Sequence, residues 1–446
     1  MRKVSTFEEL LQAEKGEMVE LVNKLVVDLD KEHWKDFEEA SSSAHPVGTS
    51  VSLSFNFNRV TVVYNSSEAD KNDEAAITIR CNKLSVTIIG LTILVYSAPG
   101  RATQLQKGLT PKTFHGLKIV QPLSLSLSYC TVKGAEGFGC VLEDSEIITV
   151  YLCEFSNNIY GGLAVNGVSS SGRITDCEFN ENGLKDSTAY GYGVTLASSP
   201  GGKQNHNIDI LDCRAVNNRR NGIDVHCGSN IEIRDNTVMI AGFIGIYAVN
   251  QNSASKFVSN VTIQKNTVIG AGYAAIGIGS AEELGSGVIV KPSELFLVAD
   301  CILISGIQPA MSFSQAIPVT SHGILIYMTS HSPAPGRIVL RDSYLIGMKV
   351  YGILVSNANK EPKVDLPQIE ELSIDNLKIL NMAFPTAIAA ICAGHQKRLM
   401  LSNNFIYGEG SYGIIAVGKN ISDDFNTVLG NYKITAKSLT VQKEQQ

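Results

Sequence analysis

Three features of the sequence predict an all-β fold, a right-handed parallel β-helix solenoid with a short N-terminal capping helix. A phrase of Gly followed by alternating apolar residues recurs along most of the chain. In most copies a second strand follows, and it ends in a small residue. The shortest spacing between these small residues, about 23 residues, fits three short strands with their corners, and repetition at such a period indicates a solenoid. Parallel crossovers favour the right-handed form.

The Gly phrase predicts strands with one buried face, because its apolar residues occupy alternate positions. Its clearest copies are Gly162–Val165, Gly193–Leu196, Gly222–Val225, Gly245–Ala248, Gly323–Ile326, Gly352–Val355 and Gly413–Ala416. A propeller blade would need about 40 residues or more, and the Leu/Asn consensus of leucine-rich repeats is missing. The phrase therefore favours a β-helix over these two other repeat folds.

The small residues that close the second strand predict a row of like side chains at one corner of the stack. They are Cys130, Cys153, Cys177, Cys213, Asn236, Asn266, Cys301, Ser343, Asn376 and Asn404. A corner Asn can hydrogen-bond the turns on either side of it, whereas Cys fills the same place by packing. We therefore interpret the cysteines as structural, with reduced thiols rather than a disulfide framework.

The chain divides on this pattern into three parts. Residues 1–75 are predicted to hold the cap helix and first strands, residues 76–434 the β-helix, and residues 435–446 a polar tail. Ser5 and Glu8 have the spacing of a capping box at the start of the helix, and Gly16 would close it. The helix would cover an open end of the stack, where unpaired strands invite aggregation.

Composition excludes several classes of partner. The net charge of −6 gives no reason to expect nucleic acid, and no window is apolar for long enough to span a membrane. The N-terminus has no apolar core of signal-peptide length, which predicts a protein of the virion or the cytoplasm. No cofactor is predicted, and no acidic cluster specifies a metal site, although calcium stays an option.

Asp224 and His226 are the candidate catalytic pair. They alternate with apolar residues in one copy of the Gly phrase, so both should point away from the core. Stacking of the next turn would place Tyr247 beside Asp224, about 4.8 Å away at one strand spacing. Arg219 and Arg220 come at the corner just before the strand, which predicts that all five side chains converge.

Loop lengths predict a groove around this pair. The turn that begins at Ile223 is short, whereas the turns before and after it carry extra residues at 198–206 and 251–257. Tyr190 and Tyr192 would add an aromatic platform, and Asn250 a polar contact. Aromatic faces combined with hydrogen-bonding groups suit a sugar ring.

Such a site could abstract the proton next to the carboxylate of a uronate sugar. Arg219 or Arg220 would hold that carboxylate, while His226 or Tyr247 would act as base or acid. Asp224 would orient His226.

Two other functions stay open. Asp224 could be one carboxylate of a hydrolase pair, although the next carboxylates, Glu232 and Asp235, belong to the following strand. The chain could also be a non-catalytic β-helix, a structural virion protein or adhesin that binds glycans, with a solvated Asp and His. Five further histidines are expected at surface corners or loops: His115, His206, His322, His331 and His395.

The repeated pattern Gly-Ile-x-Val followed by Asn-Ile-x-Ile-x-Asp-Asn-x-Val resembles the right-handed parallel β-helix repeat of pectate-lyase-like proteins. The resemblance covers roughly residues 76–434. It implies the fold strongly and the reaction only weakly, because this scaffold hosts many activities.

The motif around the catalytic pair resembles the Tyr-Gly-Phe-Asp-Pro-His motif of mannuronan C5-epimerases. Gly222, Asp224 and His226 match that motif, whereas Asn221 and Val225 stand where the family has Tyr and Pro. The phrase is also similar to β-helix segments of phage tailspike depolymerases. These resemblances imply lyase or epimerase chemistry on an acidic bacterial polysaccharide, and a tailspike would add a homotrimer as the assembly.

Overall fold

The computed structural model describes residues 1–29, 52–67, 70–96, 113–184, 190–250, 258–280, 294–305, 322–328, 335–357, 368–382, 389–393, 396–417 and 420–439. These residues form 38 β-strands and one short α-helix. The chain divides into two compact units, Met1–Arg220 and Asn221–Gln446, and strand pairing within each unit is parallel. The prediction of an all-β parallel β-helix is confirmed. The predicted domain boundaries stay a prediction.

The first unit stacks its strands in three rows, which we number by the order of the strands within a turn. The first row, which begins with the Gly phrase, is Leu25–Asp28, Ala75–Arg80, His115–Val120, Phe138–Glu143, Gly161–Asn166 and Tyr192–Ala197. The second row is Ser52–Asn65, Ser85–Tyr96, Ser124–Ser128, Ile147–Tyr151, Ser171–Thr175 and His206–Leu211. The third row is Arg2–Val4, Met18–Leu21, Thr131–Lys133, Glu154–Ser156, Glu178–Asn180 and Arg214–Val216, together with the second halves of the two longest strands.

The second unit repeats the same local order. Its first row is Ile223–Val225, Ile244–Asn250, Ala274–Ser280, His322–Met328, Tyr351–Asn357 and Ala389–Ala393. Its second row is Gly228–Arg234, Val258–Gln264, Leu295–Ala299, Arg337–Arg341, Ile369–Asp375, Gln396–Ser402 and Asn420–Asp424. Its third row is Thr237–Met239, Thr267–Ile269, Ile302–Ile304, Tyr344–Ile346, Lys378–Met382 and the first halves of Phe405–Val417 and Thr427–Leu439, whose second halves continue the first row.

The core of each unit is built from the inward positions of these rows. In the first unit, Leu117, Leu163 and Val194 lie in register and are fully buried. Phe155 and Phe179 stack inside the same unit with ring centroids 6.0 Å apart and an interplanar angle of 13°. Each such side chain contributes about 1.5–3 kcal/mol on burial, so the stack is stabilised turn by turn.

The predicted corner row is present at nine of its ten residues, all of them buried: Cys130, Cys153, Cys177, Cys213, Asn236, Asn266, Cys301, Ser343 and Asn404. The backbone N–H of Cys130 donates to Sγ of Cys153 at 3.5 Å, and all nine cysteines of the chain carry free thiols. Asn376 was predicted wrongly. It is exposed in the left-handed region with φ 48°, and the buried corner residue is Leu377, whose N–H donates to Oδ1 of Asn404.

The N-terminal helix is Phe7–Leu11, and its cap lies one residue later than predicted. Oγ1 of Thr6 accepts from the N–H of Glu9, and the Glu9 carboxylate accepts from the N–H groups of Ser5 and Thr6. The predicted cap Ser5 therefore precedes the helix. Phe7 is buried with its ring 5.3 Å from that of Phe55, so the helix packs on the first strands.

Two histidines expected at the surface are buried instead. His115 is 4% exposed and His322 is 5% exposed. Each opens a first-row strand, where the ring packs against aromatic rings of neighbouring turns. His206 is half-buried, whereas His331 and His395 lie outside the described residues.

Candidate functional site

The strand Ile223–Val225 positions the candidate acid. Ile223 and Val225 are fully buried in the core of the second unit, so Asp224 between them points to the other face of the row. The strand pairs in parallel with Ile244–Asn250, and Asp224 is the register partner of Tyr247. The predicted stacking of these two residues is confirmed.

Asp224 is covered and held rather than solvated. Its side chain is 0% exposed, and its Oδ1 accepts a hydrogen bond of 2.8 Å from Nδ2 of Asn221. Asn221 is itself fixed, because its Oδ1 accepts from the N–H of Ile244 at 3.2 Å. A buried carboxylate needs such partners to offset its desolvation.

His226 supplies the second partner of this carboxylate. Its Nε2 lies 2.6 Å from Oδ2 of Asp224, and its side chain is 10% exposed with Nδ1 buried. The Tyr247 ring meets the imidazole edge-to-face, with centroids 5.6 Å apart and an interplanar angle of 71°. The imidazole is therefore held between a carboxylate and a phenol ring. We call Asn221, Asp224, His226 and Tyr247 the histidine site.

Tyr327 extends the histidine site, and sequence reasoning missed it. Its ring centroid lies 6.0 Å from that of Tyr247, although the strand Ala274–Ser280 lies between the two strands that carry these tyrosines. Gly277 makes this possible, because a Cβ there would come within 3.2 Å of the Tyr247 ring and 3.3 Å of the Tyr327 ring. Burial raises the pKa of Tyr327, and the neighbouring Tyr247 raises it further. The sequence signal for this contact is Gly277 itself, a Gly at the outward position of a first-row strand, which leaves room for the two rings.

Tyr190, Tyr192 and Arg220 lie in the first unit and form a group there with Tyr160. The Tyr160 ring is 5.0 Å from that of Tyr190 and 6.3 Å from that of Tyr192. Cζ of Arg220 lies 5.3 Å from the centroid of Tyr192, within cation–π range. Tyr160 was not predicted, although it precedes a Gly pair just as Tyr192 precedes Gly193.

Arg219 is placed as a packing residue. It is 9% exposed, and its backbone N–H donates to the carbonyl of Asn182 at 2.9 Å. The Cβ and Cγ of its stem lie against Gly183 and Gly191. The structure thus brings Tyr190, Tyr192 and Arg220 together in one unit and Asp224, His226 and Tyr247 in the other. Their convergence on a common groove stays a prediction.

Two predicted features fall wholly or partly outside the described residues. Asn250 ends the strand Ile244–Asn250, but its side chain is not described, and the insert 251–257 is not described either. The other insert is described and anchored by Asn205. Its Oδ1 accepts from the N–H groups of Gly167 and Val168, and its Nδ2 donates to the carbonyl of Ala197 at 2.7 Å.

The carboxylates considered for a hydrolase pair have other partners. Nε of Arg234 lies 2.8 Å from Oε1 of Glu232, and the same guanidinium pairs with Asp235. Both acids belong to the second-row strand Gly228–Arg234 or its end. Neither acid is paired with Asp224, because a corner of the turn separates their strand from the strand Ile223–Val225.

Neither a metal site nor a membrane-spanning helix occurs in the part of the chain that the structure describes. No group of three or more His, Cys, Asp or Glu side chains there could hold a metal ion. Among the same residues, no helix is long and apolar enough to cross a membrane.

Comparisons with known proteins agree with the architecture. Residues 116–291 match the family model described as right handed beta helix region. The catalytic domain of GH87 alpha-1,3-glucanase in complex with nigerose is similar at a TM-score of 0.50 and 14% identity, over 90% of this chain and 68% of that chain. The match and the glucanase domain show the fold: the chain is a right-handed parallel β-helix.

Weaker likenesses accompany this one. The Dettilon tailspike protein gp208 has a TM-score of 0.37 and 12% identity over 96% of this chain and 63% of its own. The A-module of Azotobacter vinelandii mannuronan C-5 epimerase AlgE6 has a TM-score of 0.32 and 10% identity over 99% of this chain and 89% of its own. No curated protein matches the chain.

Proposed function

We propose that the chain is a carbohydrate-active β-helix that modifies an acidic polysaccharide by lyase or C5-epimerase chemistry. The observation that carries the proposal is the buried Asp224 carboxylate, 2.6 Å from Nε2 of His226. One β-helix scaffold hosts many reactions, as the glucanase domain illustrates, so the proposal rests on the site and not on the fold.

The paired groups suit proton abstraction at a uronate carbon. His226 or Tyr247 removes the proton next to the uronate carboxylate. In a lyase the electron pair then expels the glycosidic oxygen, which takes a proton from the acid. In an epimerase the carbon regains a proton on its opposite face.

Asp224 has the orienting role in this scheme. A carboxylate that is fully buried between Asn221 and His226 does not reach substrate, but it fixes the orientation of the imidazole ring. Since Nε2 faces Asp224, Nδ1 is the nitrogen left for proton transfer. Nδ1 is buried in the structure.

Hydrolysis is the less favoured chemistry. It needs a second carboxylate across the scissile bond, roughly 5–9.5 Å from the first. Glu232 and Asp235 are paired with Arg234 instead, and Asp224 is covered. Burying an acid–imidazole pair carries a desolvation cost, whereas the same pair left in solvent carries none. A purely structural β-helix would therefore gain nothing from burying such a pair on the outward face of a strand.

The test is incubation with oligomers of mannuronate, guluronate, galacturonate and glucuronate. Ultraviolet absorbance of unsaturated chain ends reports a lyase, a change in uronate composition by NMR reports an epimerase, and reducing ends without absorbance report a hydrolase. We expect His226→Gln and Asp224→Asn to lower the rate about a hundred- to ten-thousandfold. His206→Gln, at a half-buried histidine of the first unit, is the matched control and should keep the rate.

Two outcomes would overturn the proposal. One is reducing ends as the sole product, which would assign hydrolysis. The other is full activity of His226→Gln or Asp224→Asn, which would place the chemistry elsewhere.

A further inference from the structure

A second cluster of aromatic and cationic side chains lies wholly within the first unit. We call it the Tyr160 cluster, and it consists of Phe138, Tyr160, Tyr190, Tyr192 and Arg220. All five side chains are half-buried and therefore partly accessible. By contrast, the stacked Phe rings of the same unit are fully inside the core, so core packing does not explain the cluster.

The backbone holds the cluster in a defined arrangement. The N–H of Gly191 donates to the carbonyl of Tyr160 at 3.0 Å, and the N–H of Arg220 donates to the carbonyl of Gly191 at 2.9 Å. Gly161 is the register partner of both Phe138 and Tyr192. A Cβ at Gly161 would lie 2.5 Å from the Phe138 ring, so only Gly lets that ring turn toward Tyr160.

Charge and aromatic area occur together at this cluster. Cζ of Arg220 lies 5.3 Å from the centroid of the Tyr192 ring, and the ring centroids of Tyr160 and Phe138 are 5.1 Å apart. Burial raises the pKa of Tyr160, Tyr190 raises it further, and Arg220 opposes the rise. The ring hydroxyl thus stays a neutral hydrogen-bonding group beside a fixed positive charge.

We infer that the Tyr160 cluster is a binding subsite for a uronate residue of an acidic glycan. Aromatic rings take the apolar face of a pyranose, and a guanidinium pairs with its carboxylate in a bidentate fork. The chain has a net charge of −6, so a local arginine is needed to hold an anionic sugar. The inference rests on the proposed function for its ligand class, while its geometry belongs to the first unit alone.

The test measures binding without turnover. Calorimetry is run on the full chain carrying His226→Gln, with the four uronate oligomers named above and with maltooligosaccharides as the neutral probe. We expect at least one uronate oligomer to bind and the neutral probe to bind at least about tenfold more weakly. Tyr160→Ala and Arg220→Gln should each lower the uronate affinity by about ten- to a hundredfold.

Matched controls come from the same unit. Arg214→Gln removes an exposed arginine six residues before Arg220, and Tyr151→Ala removes a tyrosine that is 39% exposed. Both should leave the affinity unchanged. Circular dichroism of each variant checks that the fold is retained, and Arg220→Lys should restore part of the affinity.

The outcomes separate this inference from the proposed function. Uronate binding that depends on Tyr160 and Arg220 supports the subsite even if the unmodified chain yields no lyase or epimerase product. Equal affinity for neutral and acidic oligomers, no binding of any uronate oligomer, or full affinity in folded Arg220→Gln would each overturn it.

Discussion

Acidification should destabilise the protein through His322. The ring is 5% exposed, its Nδ1 is buried without a hydrogen-bond partner among the described residues, and the rings of Tyr273 and Tyr351 lie 5.2 and 5.5 Å away. Burial lowers the pKa of His322 to about 4. In the unfolded chain the pKa returns to about 6.5.

The sign and size of the effect follow from proton linkage. Between about pH 6.5 and pH 4 the unfolded chain binds a proton at His322 that the folded chain does not bind, so stability falls as pH falls. The loss is about 2 kcal/mol near pH 5 and about 3 kcal/mol near pH 4. Tyr273 and Tyr351 stay neutral, because burial raises the pKa of each phenol.

Urea unfolding at a series of pH values measures the contribution of His322, as the difference in unfolding free energy between the unsubstituted chain and a His322 variant. His322→Phe keeps an aromatic ring between Tyr273 and Tyr351 but cannot bind a proton. Since His115 is also buried with a lowered pKa, both proteins should lose stability on acidification, and the unsubstituted chain should lose about 2 kcal/mol more by about pH 5. Parallel curves for the two proteins would refute the reasoning.

Two further substitutions test packing. Phe179→Ala removes one ring of the buried stack with Phe155, so the free energy of unfolding in urea should fall by about 3–5 kcal/mol, and an unchanged midpoint would contradict a buried stack. Gly277→Ala puts a Cβ 3.2 Å from Cδ2 of Tyr247, which should displace that ring and shift the proton NMR signals of the His226 imidazole. Identical imidazole signals in the two proteins would show that Tyr247 is not held through Gly277.

The fold could be predicted well from the sequence, because each turn of a solenoid repeats the same pattern of apolar, small and Gly residues. Alternating apolar residues after each Gly identify the first row, and their stacking gives the register of Asp224 against Tyr247. That register was predictable because few residues separate the two strands. The contact of Tyr247 with Tyr327 was not predictable, because it crosses a whole turn and depends on the missing side chain of Gly277.

The wrong details arose where neighbouring residues compete for one role. Ser5 and Thr6 can both cap a helix, and only the packing of Phe7 decides which does. Asn376 suits both the left-handed turn and the corner row, and the structure uses it in the turn while Leu377 fills the corner.

Burial of polar side chains was the least predictable property of the site. Alternation assigns Asp224 to the outward face of its strand, yet the residue is fully buried because Asn221 and His226 close over it. His322 is likewise buried by rings that come from the turns on either side. Such cover depends on residues far apart in sequence, so no local pattern reveals it.

The most direct test of the account is hydrogen exchange at C5 of the uronate. Substrate oligomers are incubated with the protein in heavy water. NMR and mass spectrometry then measure the deuterium at C5 of the recovered sugar and the position of deuterium in the product. We predict that the unsubstituted chain abstracts the C5 proton and that Asp224→Asn slows this step about a hundredfold or more. Product formation with the original C5 hydrogen fully retained, or equal rates in the two proteins, would contradict it.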